Sequence, residues 1–189
     1  MRIVGGKHRG RALAAPEGES VRPTADRTRE SIFNILAHAG WGAGGASPLI
    51  GARVLDAFCG TGAMGLEALS RGAAFATFID KDARTITFAR GNAEKLRESE
   101  HAHFVRSDAT KPPPAAKPCA IAFLDPPYGS DLVSPALNAL ADAGWFAVGA
   151  IVCVEFSAKQ KEFAPPPRFD LLDTRRYGAA AVAFLRYLG

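Results

Sequence analysis

The stretch Arg53-Val54-Leu55-Asp56-Ala57-Phe58-Cys59-Gly60-Thr61-Gly62-Ala63-Met64-Gly65 decides the fold. A short apolar run stops at a glycine cluster, and the residues from about 63 to 71 favour a helix that Gly72 closes. Glycines at 60, 62 and 65 let the chain turn sharply from strand to helix and let a ligand approach the backbone. Downstream the pattern repeats. Residues 75–79 read as a second strand stopping at Asp80, and Asp82 can cap a helix running to about 98. Residues 103–106 form a third strand ending at Ser107-Asp108, and 119–124 a fourth ending at Asp125-Pro126-Pro127-Tyr128. A helix over about 132–143 leads into a strand at 150–156, and 169–174 with 179–185 read as two more strands turning at Tyr177-Gly178. Strands alternating with helices predict an α/β fold with a mostly parallel sheet covered on both faces. Ligands of such sheets bind beyond the carboxyl ends of the strands, and Asp56, Asp80, Asp108 and Asp125 all fall at that edge.

Upstream, Arg2-Ile3-Val4 and Arg11-Ala12-Leu13 read as two short strands joined by the turn-forming residues 5–10, a basic β-hairpin. After a linker at 15–21 a helix opens at Thr24 behind Pro23, with Ile32, Phe33, Ile35 and Leu36 on one apolar face, and it breaks at the glycines of 40–45. The 189 residues suit one domain, with 1–21 as hairpin and linker and 22–189 as the core. Hydrophobic residues are 48% and charged residues 22%, the balance of a globular protein, and no run reaches the roughly 18 apolar residues of a membrane span. The first residues lack the apolar stretch of a secretory signal, so a cytoplasmic protein without membrane contact is expected. Cys59, Cys119 and Cys153 are odd in number and widely spaced in apolar runs, which fits reduced core thiols and no metal site. Net charge is +4, and Arg2, Lys7, Arg9 and Arg11 crowd the first 11 residues without an acid. Such a cluster suits a polyanion, or is simply a solvated, charged terminus.

Asp56 stands just before the glycine turn, where a carboxylate repels a pyrophosphate but suits a ligand carrying an ammonium and a sulfonium. Asp80, about 20 residues on, is placed for ribose hydroxyls, and Asp108 for an adenine amine. These features favour S-adenosylmethionine over a nicotinamide cofactor, although each aspartate can instead cap a helix. Asp125-Pro126-Pro127-Tyr128 carries the most chemistry. Proline has no N–H, so this loop presents acceptors and almost no donors. Its complement is an aromatic amine, with two N–H donors and a lone pair drawn into the ring. Accepting both hydrogens at Asp125 and a proline carbonyl pulls the nitrogen toward tetrahedral geometry and makes it nucleophilic, while Tyr128 stacks on the base. The alternative is a proline-rich turn with a packed tyrosine.

The glycine turn followed by Asp125-Pro126-Pro127-Tyr128 resembles the class I amino-methyltransferases. Arg2-Ile3-Val4-Gly5-Gly6-Lys7-His8-Arg9-Gly10-Arg11 and Arg22-Pro23-Thr24-Ala25-Asp26-Arg27-Thr28-Arg29-Glu30-Ser31-Ile32-Phe33-Asn34 resemble the opening of the RsmD family, which methylates N2 of a guanine in 16S ribosomal RNA. The resemblance covers nearly the whole chain. It implies a Rossmann-like, seven-stranded sheet with helices on both faces, an N-terminal hairpin that engages RNA, and a first helix that helps cover the cofactor. It further implies S-adenosylmethionine contacts at Asp56, Phe58, Gly60, Gly62, Asp80, Lys81, Asp108 and Ala109, a target base held by Asp125 to Tyr128, and RNA contacts at Arg2, Lys7, Arg9, Arg11 and Arg22. The implied partner of the monomeric chain is 16S RNA or the small ribosomal subunit. Two departures stand out. Ala120 occupies a position that is often acidic in the family, and the triple proline 112–114 is unusual there.

Two other functions compete with that expectation. A DNA adenine-N6 or cytosine-N4 methyltransferase shares the Asp-Pro-Pro-Tyr motif but usually needs a separate target-recognition region, for which little chain is left. A non-catalytic RNA-binding module with a vestigial cofactor site has no physical reason to keep Asp125 and the glycines.

Overall fold

The computed structural model describes residues 1–16, 23–127, 131–160 and 163–189. Its helices are α1 (Pro23–His38), α2 (Ala63–Ser70), α3 (Ala83–Leu96) and α4 (Val133–Asp142). Its strands are β1 (Arg53–Ala57), β2 (Phe75–Asp80), β3 (Ala102–Arg106), β4 (Cys119–Leu124), β5 (Phe146–Ser157), β6 (Phe169–Tyr177) and β7 (Ala180–Tyr187). They form one sheet in the order β3-β2-β1-β4-β5-β7-β6, in which β7 alone runs against its neighbours β5 and β6.

The apolar runs of β1, β4 and β5 follow from this position, because strands of a parallel sheet are buried on both faces. Val54, Phe78, Phe123, Cys153 and Phe184 form one core layer with Phe33 and Leu36 of α1, Leu66 and Leu69 of α2, and Ala89 of α3. Leu55, Ile79, Leu124, Val152 and Val154 form the other with Leu137 and Leu140 of α4. All three cysteines are buried free thiols. No helix spans the β3–β4 connection; the Trp145 indole donates to the Pro113 carbonyl at 2.9 Å and ties the triple proline down. Strand β5 starts four residues before the expected position, because its register against β4 shifts between Cys119 and Ile121 near Gly149, which has φ 82°. Alternation alone does not announce such an irregularity.

The N-terminal segment pairs residues 1–3 with 11–13 antiparallel, as far as one bridge rather than the two expected strands. It makes one antiparallel bridge, Arg2 to Ala12, with Ile3 N donating to Arg11 O at 2.9 Å and Gly10 N to Ile3 O at 2.8 Å. Between them lies a 3-10 turn at Gly6–His8. The hydrogen bonds that a longer ladder would use go to helices instead. Val4 N donates to Glu67 Oε2 at 2.8 Å, His8 N to Ser70 Oγ at 2.9 Å, and the Ser70 hydroxyl to Gly5 O at 2.6 Å. Gly6 has φ 73°, and a side chain there would overlap the Ser70 carbonyl. Ile3 and Leu13 are buried in the α1–α3 core layer, so the segment is part of the domain.

A second anchor lies at the end of α3. Glu98 is buried and meets Lys7 Nζ at 2.6 Å, His8 Nε2 at 2.5 Å and His101 Nδ1 at 3.1 Å. Burial alone would raise the Glu98 carboxyl, but hydrogen bonds from Lys7 and His8 outweigh it and hold the group below the usual glutamate range.

Glu67 in the middle of α2 is fully buried and joins three parts of the chain. Besides Val4 N, it binds Arg71 Nε at 2.7 Å and faces Arg29 Nε of α1 at 3.7 Å. Removing one partner of a buried ion pair leaves the other charges without compensation. Glu67→Ala is therefore expected to cost about 3–5 kcal/mol in urea unfolding. A loss below about 1 kcal/mol would show that this carboxylate does not hold the N-terminal segment.

Candidate active site

The turn from β1 into α2 is built as the glycine spacing requires. Gly60 and Gly62 have φ 51° and 79°, and a Cβ on Gly65 would collide with the Phe78 ring, so α2 packs close on β2 only without one. Phe58 takes φ 60° without being glycine, a conformation that costs on the order of 1–3 kcal/mol and clusters at ligand sites. Side-chain carboxylates tie the turn down. Gly65 N donates to Asp56 Oδ2 at 2.8 Å, and Gly60 N donates to Asp80 Oδ2 at 3.0 Å.

The acidic residues stand in a row. Val54, Phe123 and Cys153 belong to one core layer and Leu55, Leu124 and Val154 to the other, so alternation sends Asp56, Asp125 and Glu155 to the same face of β1, β4 and β5. A cavity of about 530 Å³ opens along this row. It runs from Phe58, Gly60 and Met64 past Asp56 and Asp125 to Glu155 and the β6–β7 turn at Tyr177. Helix α1 supplies Thr28, Arg29 and Ile32 to the wall, and the N-terminal segment supplies Met1. The Tyr177 hydroxyl bonds Ser31 at 2.7 Å, which fastens the strand turn to α1.

The cavity thus brings together Asp56, Phe58, Gly60 and Asp125 of the residues singled out in the sequence. Asp80, Lys81 and Asp108 lie farther along the same strand edge, at the ends of β2 and β3, and Ala109 beside them is buried. Gly62 caps α2 and packs on Phe78 and Ala89. Pro126 is buried and Pro127 exposed beside the cavity; Tyr128 and Arg22 lie outside the described residues. Arg2, Arg9 and Arg11 are exposed, whereas the Lys7 ammonium sits on Glu98. Glu155, Tyr177 and Arg29 were not anticipated. Glu155 carries the same signal as the strand-end aspartates, an acid after an apolar run, but its strand continues past it to Ser157.

The row is electrostatically loaded. Burial pushes the Asp56 carboxyl from the ordinary 3.8 up to about 8, with Asp125 and Asp80 adding to the effect and the Gly65 N–H opposing it. The Asp125 side chain is exposed to the cavity, yet the surrounding protein deprives it of bulk water. That desolvation first, and the Glu155 carboxylate second, raise it above the usual range. Asp108 is held low, chiefly by the backbone N–H and hydroxyl of Thr110 at 2.8 and 2.7 Å. A ligand that fits here must approach a glycine backbone and bring positive charge to a buried acid. S-adenosylmethionine has that chemistry, with an ammonium and a sulfonium, and Asp56, Phe58 and Gly60, which border the cavity, are the residues that would hold it. Any side chain on Gly60 would meet open space, so the backbone itself faces the ligand side.

The fold and this site define a methyltransferase of the class I, Rossmann-like type. A family model described as conserved hypothetical protein 95 matches residues 1–186, and the chain belongs to that family, the RsmD family. Ribosomal RNA small subunit methyltransferase D of Escherichia coli strain K12 is 37% identical over 195 residues, spanning 99% of this chain and 89% of that protein. The solved structure of yhhF from Escherichia coli has a TM-score of 0.82 at 35% identity and covers 100% of this chain and 98% of its own. Magnesium protoporphyrin IX methyltransferase from Synechocystis PCC 6803, solved with bound S-adenosylmethionine, has a TM-score of 0.65 and covers 98% of this chain and 88% of its own. At 17% identity that likeness concerns the fold alone.

Asp56 sets up an opposition between stability and binding. Its pKa is higher folded than unfolded, so its stabilising contribution is complete below about pH 4 and is lost as pH rises toward about 8. Asn at this position still accepts from Gly65 N but carries no charge. Ligand-free Asp56→Asn should therefore melt above the wild type at pH 7.5, by about 2 °C or more, with the gap closing toward pH 4. The same variant should bind S-adenosylmethionine at least about tenfold more weakly by titration calorimetry, because a charge-assisted partner is lost. A variant less stable at pH 7.5 with unchanged affinity would remove Asp56 from the cation site.

Proposed function

We propose that the protein transfers a methyl group from S-adenosylmethionine to the exocyclic N2 amine of a guanine in 16S RNA of the small ribosomal subunit. The observation that carries this reading is one cavity joining the glycine turn to Asp125 beside the Pro126–Pro127 pair. Membership of the family and the name of the Escherichia coli relative, a small subunit ribosomal RNA methyltransferase, support RNA of the small subunit as substrate.

Bound at the glycine turn, the cofactor supplies an electrophilic methyl carbon on a sulfonium. Asp125 accepts one N2–H of the base and a proline carbonyl accepts the other, which localises the nitrogen lone pair. That lone pair forms the new N–C bond as the S–C bond breaks, and the nitrogen then gives up a proton. The raised pKa of Asp125 suits it to receive that proton near neutral pH. Tyr128, next in the chain, stacks on the base. Arg9 and Arg11 contact phosphates on a segment whose first residue, Met1, borders the cavity.

Incubating the protein with labelled S-adenosylmethionine and unmodified small subunits should yield N2-methylguanosine on digestion of the RNA. N6-methyladenosine or N4-methylcytidine would refute the base assignment. Asp125 acts as charge redistributes, so Asp125→Ala should cost about 10²–10³-fold in turnover with cofactor affinity within a few-fold. Turnover near the wild-type rate would end the amine-activation mechanism. Tyr128→Ala should lose roughly 10- to 150-fold while Tyr128→Phe keeps most activity, since the ring face does the work. Arg9→Ala with Arg11→Ala leaves the buried anchors of the segment in place. It should flatten the salt dependence of RNA binding by about 0.7–0.9 log units per lost contact, and an unchanged slope would place both arginines outside the interface.

A further inference from the structure

We propose that Glu155 reads the target base, its carboxylate accepting the N1–H of guanine while Asp125 accepts an N2–H. This assignment rests on the guanine-N2 reading above and gives it a physical basis.

Val154 of β5 pairs with Leu124 of β4, so Glu155 and Asp125 are the next residues along two neighbouring strands. Neighbouring strands lie about 4.8 Å apart. Both side chains belong to the same face, and both line the cavity of about 530 Å³ that reaches the glycine turn, at strands successively farther from β1. Glu155 also borders an adjoining cavity of about 290 Å³ formed with Pro126, Pro127, Phe156 and Phe163. It therefore stands where a base with its amine on Asp125 must extend. The influence of Glu155 on Asp125 agrees with that closeness.

Two adjacent carboxylates ask for two adjacent donors. Guanine offers them, because its 2-amine lies beside the ring N1–H. Adenine and cytosine place a ring-nitrogen lone pair beside their amines. A carboxylate facing that lone pair gains no hydrogen bond from the base and meets electron density instead of a donor, which disfavours the wrong base. The guanine donors also offset the repulsion between the two acids, which neither of the other bases does on the Glu155 side. Asp-Pro-Pro selects an aromatic amine; Glu155 selects the neighbour of that amine.

The test uses small-subunit RNA carrying either guanosine or 2-aminopurine ribonucleoside at the position that the wild type methylates. 2-Aminopurine keeps the 2-amine and replaces N1–H with a lone pair. The wild type should prefer guanosine by about 10²-fold or more in kcat/KM. Glu155→Gln can turn its amide NH2 toward that lone pair, so its preference should fall at least tenfold, with unfolding midpoint and cofactor affinity unchanged. Glu155→Asp keeps the carboxylate and should keep more of the preference than Glu155→Gln, even if it is slower. Intrinsic differences in amine reactivity cancel because the variants are compared on the same two substrates. Equal preference ratios in the wild type, Glu155→Gln and Glu155→Asp would overturn the assignment while leaving guanine-N2 methylation intact. A wild-type product other than N2-methylguanosine would overturn the underlying reading first. If Glu155→Gln does not fold, a ratio in Glu155→Asp that has collapsed to unity overturns the assignment on its own.

Discussion

The hydrogen bond from Gly65 N to the buried carboxylate of Asp56 is the interaction on which the rest of the site depends. It lies between a strand that must be apolar on both faces and a helix whose first amides lack partners. By accepting from one of those amides across the turn, Asp56 helps fix where α2 begins, and the lack of a Cβ at Gly62 and Gly65 lets α2 sit close on Phe78 of β2. The cost is an acid raised to about 8 at the floor of a cavity. A protein selected only for stability has no reason to keep it, since asparagine makes the same bond. On the function proposed above, the acid is one end of a row that continues through Asp125 to Glu155 and that ligands would relieve, a cation at one end and N–H donors at the other.

Most of this architecture was legible in the sequence for a definite reason. Where an apolar run ends in an acid and a glycine or proline cluster follows, one short segment reports both the strand and its functional end. Asp56, Asp108 and Asp125 have that form, Asp80 ends its strand without such a cluster, and six of the seven strands fall within a few residues of their expected limits. The exception is β5, whose early start rests on an irregular pairing that no periodicity records. Asp108 shows the limit of the same rule. A strand-end acid can turn back on its own chain, as its two bonds to Thr110 do, so position at the edge does not by itself place a carboxylate on a ligand.

What the sequence hides are partners brought from far away. Glu67 sits in Leu66-Glu67-Ala68, where a charged residue between apolar ones reads as the outer face of an amphipathic helix. It is buried because Val4, Arg29 and Arg71 supply its hydrogen bond and ion pairs, and two of those three lie tens of residues upstream. The N-terminal segment was read only in part for the same reason: residues 1–3 and 11–13 pair antiparallel as the pattern proposes, but the donors and acceptors beyond that short pairing go to Glu67 and Ser70. Lys7 looked like one basic residue among several, and only the fold reveals Glu98 beneath it.

These long-range anchors decide which positive charges remain available. Of the cluster in the first 11 residues, Lys7 is committed to Glu98 and Arg2 lies 3.6 Å from Asp26, while Arg9 and Arg11 are exposed with no ion pair among the described residues. The same anchors hold Met1 against the cavity through its sulfur, which accepts the Thr61 hydroxyl at 3.3 Å. Arg29 links the two regions, donating to the Arg2 carbonyl at 2.6 Å while lining the cavity wall. A basic segment tethered in this way cannot sweep freely for polyanions. Arg9 borders a neighbouring cavity that shares Met1 with the one holding Asp125, so on the function proposed above a strand gripped there by its phosphates would bring its bases toward the acidic row. On that reading local charge would contribute position as well as affinity, and the buried carboxylates of Glu67 and Glu98 are what hold the segment in place.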